Sequence, residues 1–421
     1  MHGPNDSSAQ SRPPSPYAAF RYRDFRLFVA MRTLSNMAQL MQSVAVGWQV
    51  YDITRRPLDL GLVGLSLFLP QFLLALPAGQ AADRLPRRKL VITALGLNLV
   101  ASALLLWLSA IGSHRVEAIL AVLVVFGCGR AFVGPATQAI LPAVVPRALL
   151  PNAITWNSTT WQAAMVLGPA LGGLLYGFGV ELVYAVVLAL LAASAVAALL
   201  LRPAPQSPAA GSRRWHELLG GVRFVLDHPV LLGAISLDLF AVLFGGATAL
   251  LPIFARDMLS VGPIGLGLLR SAPAVGSVAC AMWLAGHPLR RRAGMRMFQC
   301  VAGFGAATIV FGLSQSFVLS LVALAATGAC DMVSVYVRQT VIQLGTPDAM
   351  RGRVNAVSLV FIGASNELGE FESGITAAWF GTVPAVVLGG AGTLAVVAIW
   401  AWRFAGLRRV DRLDQVYEGD A

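Results

Sequence analysis

Between two hydrophobic stretches, residues 58–82 and 90–111, the chain places Asp83, Arg84, Arg87, Arg88 and Lys89 almost side by side. Both stretches exceed the roughly 20 apolar residues that a spanning helix needs. A charged side chain at a bilayer centre costs roughly 2.5–3.5 kcal/mol on insertion scales, so five together form a tight loop on one membrane face. Only 12% of the residues are charged and 57% are hydrophobic, against about 25% charged in soluble domains. The pattern predicts an all-α integral membrane protein with twelve transmembrane helices, near 26–50, 58–82, 90–111, 116–140, 152–178, 180–201, 229–256, 262–286, 295–314, 318–343, 353–379 and 383–405.

The net charge of +11 records topology rather than a polyanionic partner. Arg55, Arg56, Arg115 and Arg256 fall in loops on one face, and Arg32, Arg130, Arg270 and Arg338 fall within predicted spans. The other Lys and Arg residues cluster on the opposite face, which the positive-inside rule makes cytoplasmic together with both termini. Nucleic acid is therefore not an expected partner; the bilayer is. Residues 1–24 lack an apolar signal region, so the first span is expected to act as its own insertion signal. Cys128, Cys280, Cys300 and Cys330 all lie in spans, which predicts neither disulfides nor a metal site, and no cofactor motif occurs.

A Pro/Ser/Ala run after Arg202 separates two halves. The expected organisation is an amino-terminal cytoplasmic segment 1–25, a six-helix bundle 26–201, a cytoplasmic linker 202–228, a second six-helix bundle 229–405 and a tail 406–421. The halves repeat each other: at an offset of 201 residues Gly127 matches Gly328, Gln138 matches Gln339, Pro146 matches Pro347, Gly168 matches Gly369 and Gly173 matches Gly374. At an offset of 203, Gly64 matches Gly267 and Pro70 matches Pro273. Duplicated halves mark secondary transporters that hold substrate near the midplane between them.

The charged loop, with Gly79, Asp83, Arg84, Arg87 and Arg88 in register and Pro86 where glycine is usual, resembles the loop between helices two and three of the major facilitator superfamily. The resemblance runs along essentially the whole chain and implies two pseudo-symmetric six-helix bundles. It also implies that Asp83 and its basic neighbours tie helix two to helix eleven when the carrier is closed toward the cytoplasm. The corresponding second-half loop, Gly286 to Arg292, lacks the aspartate, so no gating role is carried over to it. Arg130 with Gly134 resembles the core of a proton-coupling motif. Gly168, Pro169, Gly172 and Gly173 resemble the end of an antiporter motif, while a plain packing kink explains the same residues. Segments 22–28, 47–54, 346–354 and 365–369 resemble the enterobactin-exporter-like branch of transmembrane secretion effectors. That branch implies efflux of a siderophore or another amphipathic small molecule driven by protons.

Charges inside spans usually face a partner or a wet cavity. Asp331, Ser334 and Arg338 share one face of helix ten, and Asn366, Glu367 and Glu370 share one face of helix eleven. The proton-coupling candidates are therefore Arg130, Asp331, Arg338, Glu367 and Glu370, with Asp238 as a further one; permanent structural pairing is the alternative for all of them. Substrate-cavity candidates are Asn36, Gln39 and Gln42 in helix one, Gln71 in helix two, and Asn157, Trp161 and Gln162 in helix five. Amides beside an aromatic ring suit an amphipathic ligand.

The expected function is secondary active transport by alternating access, as proton-coupled antiport that exports a small molecule from a bacterial inner or plasma membrane. A monomer is the expected working unit. Multidrug efflux or small-solute uptake are the alternatives within transport, and a membrane receptor or scaffold is the alternative outside it. No nucleophile, phosphate loop or metal set points to an enzyme.

Overall fold

The computed structural model describes residues 15–202, 215–287, 289 and 292–410. A 3-10 turn, Ala18–Arg21, leads into α1 (Arg23–Thr54), α2 (Pro57–Arg84), α3 (Arg87–Ala110), α4 (Val116–Ile140), α5 (Leu150–Tyr176) and α6 (Val180–Leu200). The second half holds α7 (Trp215–Asp227), α8 (Pro229–Phe244), α9 (Leu251–Ile253), α10 (Gly262–Gly286), α11 (Ala293–Leu313), α12 (Phe317–Leu344), α13 (Asp348–Phe380), α14 (Thr382–Arg403) and α15 (Ala405–Arg409).

Among the described residues, nine helices are long and apolar enough to cross a membrane. The long helices α1, α5 and α13 are not among them, and the reason is visible in their sequences. Helix α1 carries Asn36, Gln39 and Gln42, α5 carries the polar run from Thr155 to Gln162, and α13 carries Glu367, Glu370 and Glu372. Of these, α1 and α13 contribute polar side chains to the space between the halves, and α5 contributes Trp161. The outward-facing residues of the bundle are large and apolar instead, including Val100, Trp107, Val318 and Ile399, as a lipid-facing surface requires.

Two sequence expectations change in detail. Span seven, read as continuous over 229–256, breaks at Gly245 and Gly246 and resumes as a 3-10 turn (Ala247–Leu250), α9 and a π-helical turn, Phe254–Met258. The break sits where α13 comes closest: a Cβ on Gly246 would meet the backbone of Gly369 at 2.8 Å. The stretch read as linker, 202–228, contains the amphipathic helix α7. Its Val225 is buried in the second-half core beside Leu231 and Val354.

The two halves share one packing plan. Helix α1 packs on α5 and α6, α2 on α4, and α3 on α4 and α6; correspondingly α8 packs on α13 and α14, α10 on α12, and α11 on α12 and α14. The repeated glycines are the seats of these contacts. Gly127 lies against Leu67 and Pro70 of α2, and its counterpart Gly328 lies against Pro273 of α10, the counterpart of Pro70. Likewise Gly168 faces Leu40 of α1 while Gly369 faces Leu243 of α8. Small residues let the backbones approach, so side chains at these positions must force helices apart. Gly127→Val and Gly328→Val are expected to lower melting temperature and monodisperse yield in detergent, since overpacking costs roughly 1–3 kcal/mol or more. Gly352→Ala, where a Cβ meets nothing within 4 Å, is the tolerated control.

The halves meet through α5 on α10 and α2 on α13. These contacts are tight at one end only. A Cβ on Gly61 would stand 3.1 Å from Gly374, one on Gly64 would stand 3.0 Å from Glu370, and Gly173 sits against Gly267. Further along the same helices, toward the face where Arg202 meets Asp24 at the start of α1, Gly79, Gly286 and Gly363 face open space. The space between the halves is thus closed at the end away from the termini and open toward the terminal face.

Candidate functional site

At the level where the halves part lies a cavity of about 160 Å³. Helix α1 lines it with Asn36, Gln39, Gln42, Ser43 and Gly47, and α2 with Leu60, Val63 and Leu67. Phe126 and Arg130 of α4, Trp161 of α5, Ala249, Pro252, Arg270 of α10, and Glu367 and Glu370 of α13 complete most of the wall. Two carboxylates and two guanidiniums thus face a space otherwise lined by amides, aromatic rings and aliphatic side chains.

They are paired. Arg130 Nη2 donates to Glu367 Oε1 at 3.2 Å, joining the first half to the second across the cavity. Arg270 Nη2 stands 3.7 Å from Glu370 Oε1, within the second half. Burial of an ion outside water is unfavourable unless the opposite charge and hydrogen bonds replace the lost solvation, so each pair holds the other member in place.

A third ion pair stands apart from the cavity. Arg338 of α12 binds Asp238 of α8, whose Oδ1 also accepts from Ser334 Oγ at 3.2 Å. Both charged side chains are buried, at 3% and 6% exposure. The charged loop acts as a clamp on its own half: Arg87 Nη1 donates to the carbonyl of Ala139 at 2.8 Å at the end of α4. Arg88 Nε donates to the carbonyl of Ala198 at 3.3 Å at the end of α6. Cations at helix C-termini satisfy carbonyls that the helix leaves free. The Asp83 side chain lies outside the described residues.

A profile of the family described as transmembrane secretion effector matches residues 14–418. The chain belongs to this family. Among its relatives are the enterobactin exporter EntS of Shigella boydii serotype 4, 27% identical over 79% of this chain and 80% of the relative, and the EntS of Escherichia coli O1:K1, 26% identical over the same shares. Similar folds occur in a bacterial homolog of the human lysosomal transporter Spinster in an inward-facing, occupied conformation. That structure has a TM-score of 0.70 and 14% identity, over 96% of this chain and 98% of that one. The nucleoside transporter NupG (D323A mutant) gives 0.67 and 15%, over 91% and 100%. The fold is that of the major facilitator superfamily, and the protein is a multi-pass membrane transporter.

In this secretion effector, the structure gathers only some of the sequence candidates. Asn36, Gln39, Gln42 and Trp161 line the cavity with Arg130, Glu367 and Glu370; Gln71, Asn157 and Gln162 are not among its lining residues. Gln42 is itself engaged, accepting from Ser102 Oγ at 2.7 Å and so tying α1 to α3. Asp331 is the repeat counterpart of Arg130, yet it does not line the cavity and forms no ion pair among the described residues. Gly168 and Gly172 pack on Leu40 and Met41 of α1, and Gly173 packs on Gly267 of α10, as does the carbonyl of Pro169. Arg32, placed by sequence within the first span, donates to Thr137 Oγ1 of α4 at 2.7 Å. Ser43, Phe126 and Arg270 line the cavity without having been sequence candidates, and Arg270 is the charged one among them. Its charge inside a span was the available signal, but its partner Glu370 lies a hundred residues on, where helical spacing says nothing.

Proposed function

We propose that the protein exports a siderophore or another amphipathic small molecule by proton-coupled antiport, with both termini in the cytoplasm and the cavity open to that side. One observation carries the reading: the cavity wall holds Glu367 and Glu370, each against an arginine, and one of the pairs bridges the halves. A proton on Glu367 removes the negative charge that Arg130 binds, so proton occupancy and the contact between the halves are linked. Rocking of one half against the other is what alternating access needs. Trp161 and Phe126, with the amides of Asn36 and Gln39, supply an aromatic surface and hydrogen bonds for an amphipathic ligand. The names of the EntS relatives support export and the siderophore class. When the halves close at the cytoplasmic side, Asp83 and its basic neighbours are proposed to hold α2 to α13.

The test is made in everted vesicles energised to an acid interior. Adding a catecholate siderophore, enterobactin first, is expected to collapse the pH gradient faster than in vesicles lacking the protein, because each molecule taken in releases protons. An unchanged gradient across a panel of siderophores and amphipathic drugs, with correctly inserted protein, would remove proton antiport. Cysteines introduced at Ser113 and Ser212 fix the sidedness: the first is expected to react only from outside the cell and the second only from within.

A further inference from the structure

The cavity is roofed, at the end away from the termini, by a cluster of charges that the transport reading does not use. Asp52, Tyr51 and Arg55 end α1 in the first half, while Arg256 and Asp257 lie on the π-helical turn Phe254–Met258 in the second. Arg256 binds Asp52 and sits 5.5 Å over the ring of Trp48. Asp257 accepts from the Tyr51 hydroxyl and stands 3.4 Å from Arg55 Nη1, and Arg55 Nη2 also reaches Asp52 at 3.6 Å. Every strand of this network except the last crosses between the halves.

Its position relates it to the cavity. Ser43 and Gly47 of α1, and Ala249 and Pro252 ahead of the π-turn, line the cavity, and one to two turns further along the same two segments come Trp48 to Arg55 and Arg256 to Asp257. The backbone around the network is unusual as well. Arg55 has φ 55° and Ser260 φ 51°, left-handed values uncommon outside glycine. π-turns are rare and concentrate at functional sites. Such conformations persist where surrounding contacts hold them, and Arg55 is held by its contact with Asp257 across the halves.

We propose that Asp52, Tyr51, Arg55, Arg256 and Asp257 form the outer gate of the transport cycle. They act as positioning residues that hold the cavity shut on this face and must separate before it opens there. The inference rests on the alternating-access part of the proposed function, not on its substrate or its coupling ion. Partly exposed ion pairs of this kind are individually weak, about 0.2–1 kcal/mol. A gate built from several is therefore strong enough to bias the closed state and weak enough to open in each cycle.

The test uses protein in which Cys128, Cys280, Cys300 and Cys330 are replaced by alanine and Ser43→Cys reports from the cavity. A membrane-impermeant maleimide is applied to sealed vesicles from the face opposite the termini. The double variant Asp52→Asn with Asp257→Asn is expected to label about tenfold faster than its parent, the equivalent of about 1.4 kcal/mol in the opening equilibrium. Arg256→Gln alone is expected to give a smaller rise, and Arg256→Lys, which keeps the charge, a rate near the parent's. Labelling from the terminal face checks that each variant is folded, and the single variant supplies a reading if the double one fails that check. Equal rates in parent and folded charge-removed variants would overturn the gate. The assay needs neither substrate nor a proton gradient, so failure of the gate and failure of proton antiport are told apart.

Discussion

Proteoliposomes carrying Glu367→Gln with Glu370→Gln are expected to lose pH-gradient-driven accumulation altogether while still exchanging substrate across the membrane. The two carboxylates are the acidic groups on the cavity wall. Once both are amides, no lining group binds a proton on one side and surrenders it on the other, although the amides keep the shape and hydrogen bonding of the wall. Arg130→Ala is expected to be harsher. It leaves Glu367 beside Glu370 without the guanidinium 3.2 Å away, and it removes the ionic contact joining the halves at the cavity. Arg130→Lys retains the charge but not the fork geometry, so partial activity is expected. Asp331→Asn separates two assignments. The residue lies off the cavity wall, so gradient-driven transport in this variant is expected to stay near wild type; its loss, with the Glu367 and Glu370 variants active, would move the proton site to α12.

How far the site was readable follows from what each residue type does in a membrane. The bundle plan was legible because apolar length and the side of the arginines are composition effects, and because the duplicated Gly127 and Gly328 seat the same helix pair in each half. Asn36, Gln39 and Trp161 were legible because amides and an indole within spans have few favourable places but an aqueous cavity. The same argument also named Gln71, Asn157 and Gln162, which do not line the cavity; the Gln71 side-chain oxygen is instead buried without a hydrogen-bond partner, which helical spacing gives no means of foreseeing. What spacing cannot carry is a partner on another helix. Arg338 is a candidate for proton movement because it shares a helix face with Asp331, and Asp238 because it is a charge within a span; only the fold reveals that they are bound to each other. The outer cluster was hidden for the opposite reason: Arg55 and Arg256, read as loop charges, serve topology equally well whether or not they pair across the halves.

Asp238 and Arg338 give the largest expected effect on stability. Both are buried, their neighbours along α8 and α12, Leu237, Val333, Val337 and Val341, belong to the second-half core, and the Arg338 Nε hydrogen has no partner of its own. Removing one member, as in Asp238→Ala, strands a guanidinium in an apolar interior and is expected to cost roughly 3–5 kcal/mol, a large part of the roughly 5–15 kcal/mol that typical folds possess. Aggregation or a steep fall in detergent melting temperature is the readout. Replacing both members, Asp238→Leu with Arg338→Met, removes the stranded charge together with the pair, and stability is expected to return, because apolar replacements of buried pairs are often neutral or stabilising. Transport by this double variant decides what the pair is for. If it still responds to a pH gradient, the ion pair fixes α8 against α12 and nothing more. If it folds but exchanges substrate without regard to the gradient, protons pass through Asp238, and the two carboxylates of the cavity are not sufficient to couple transport.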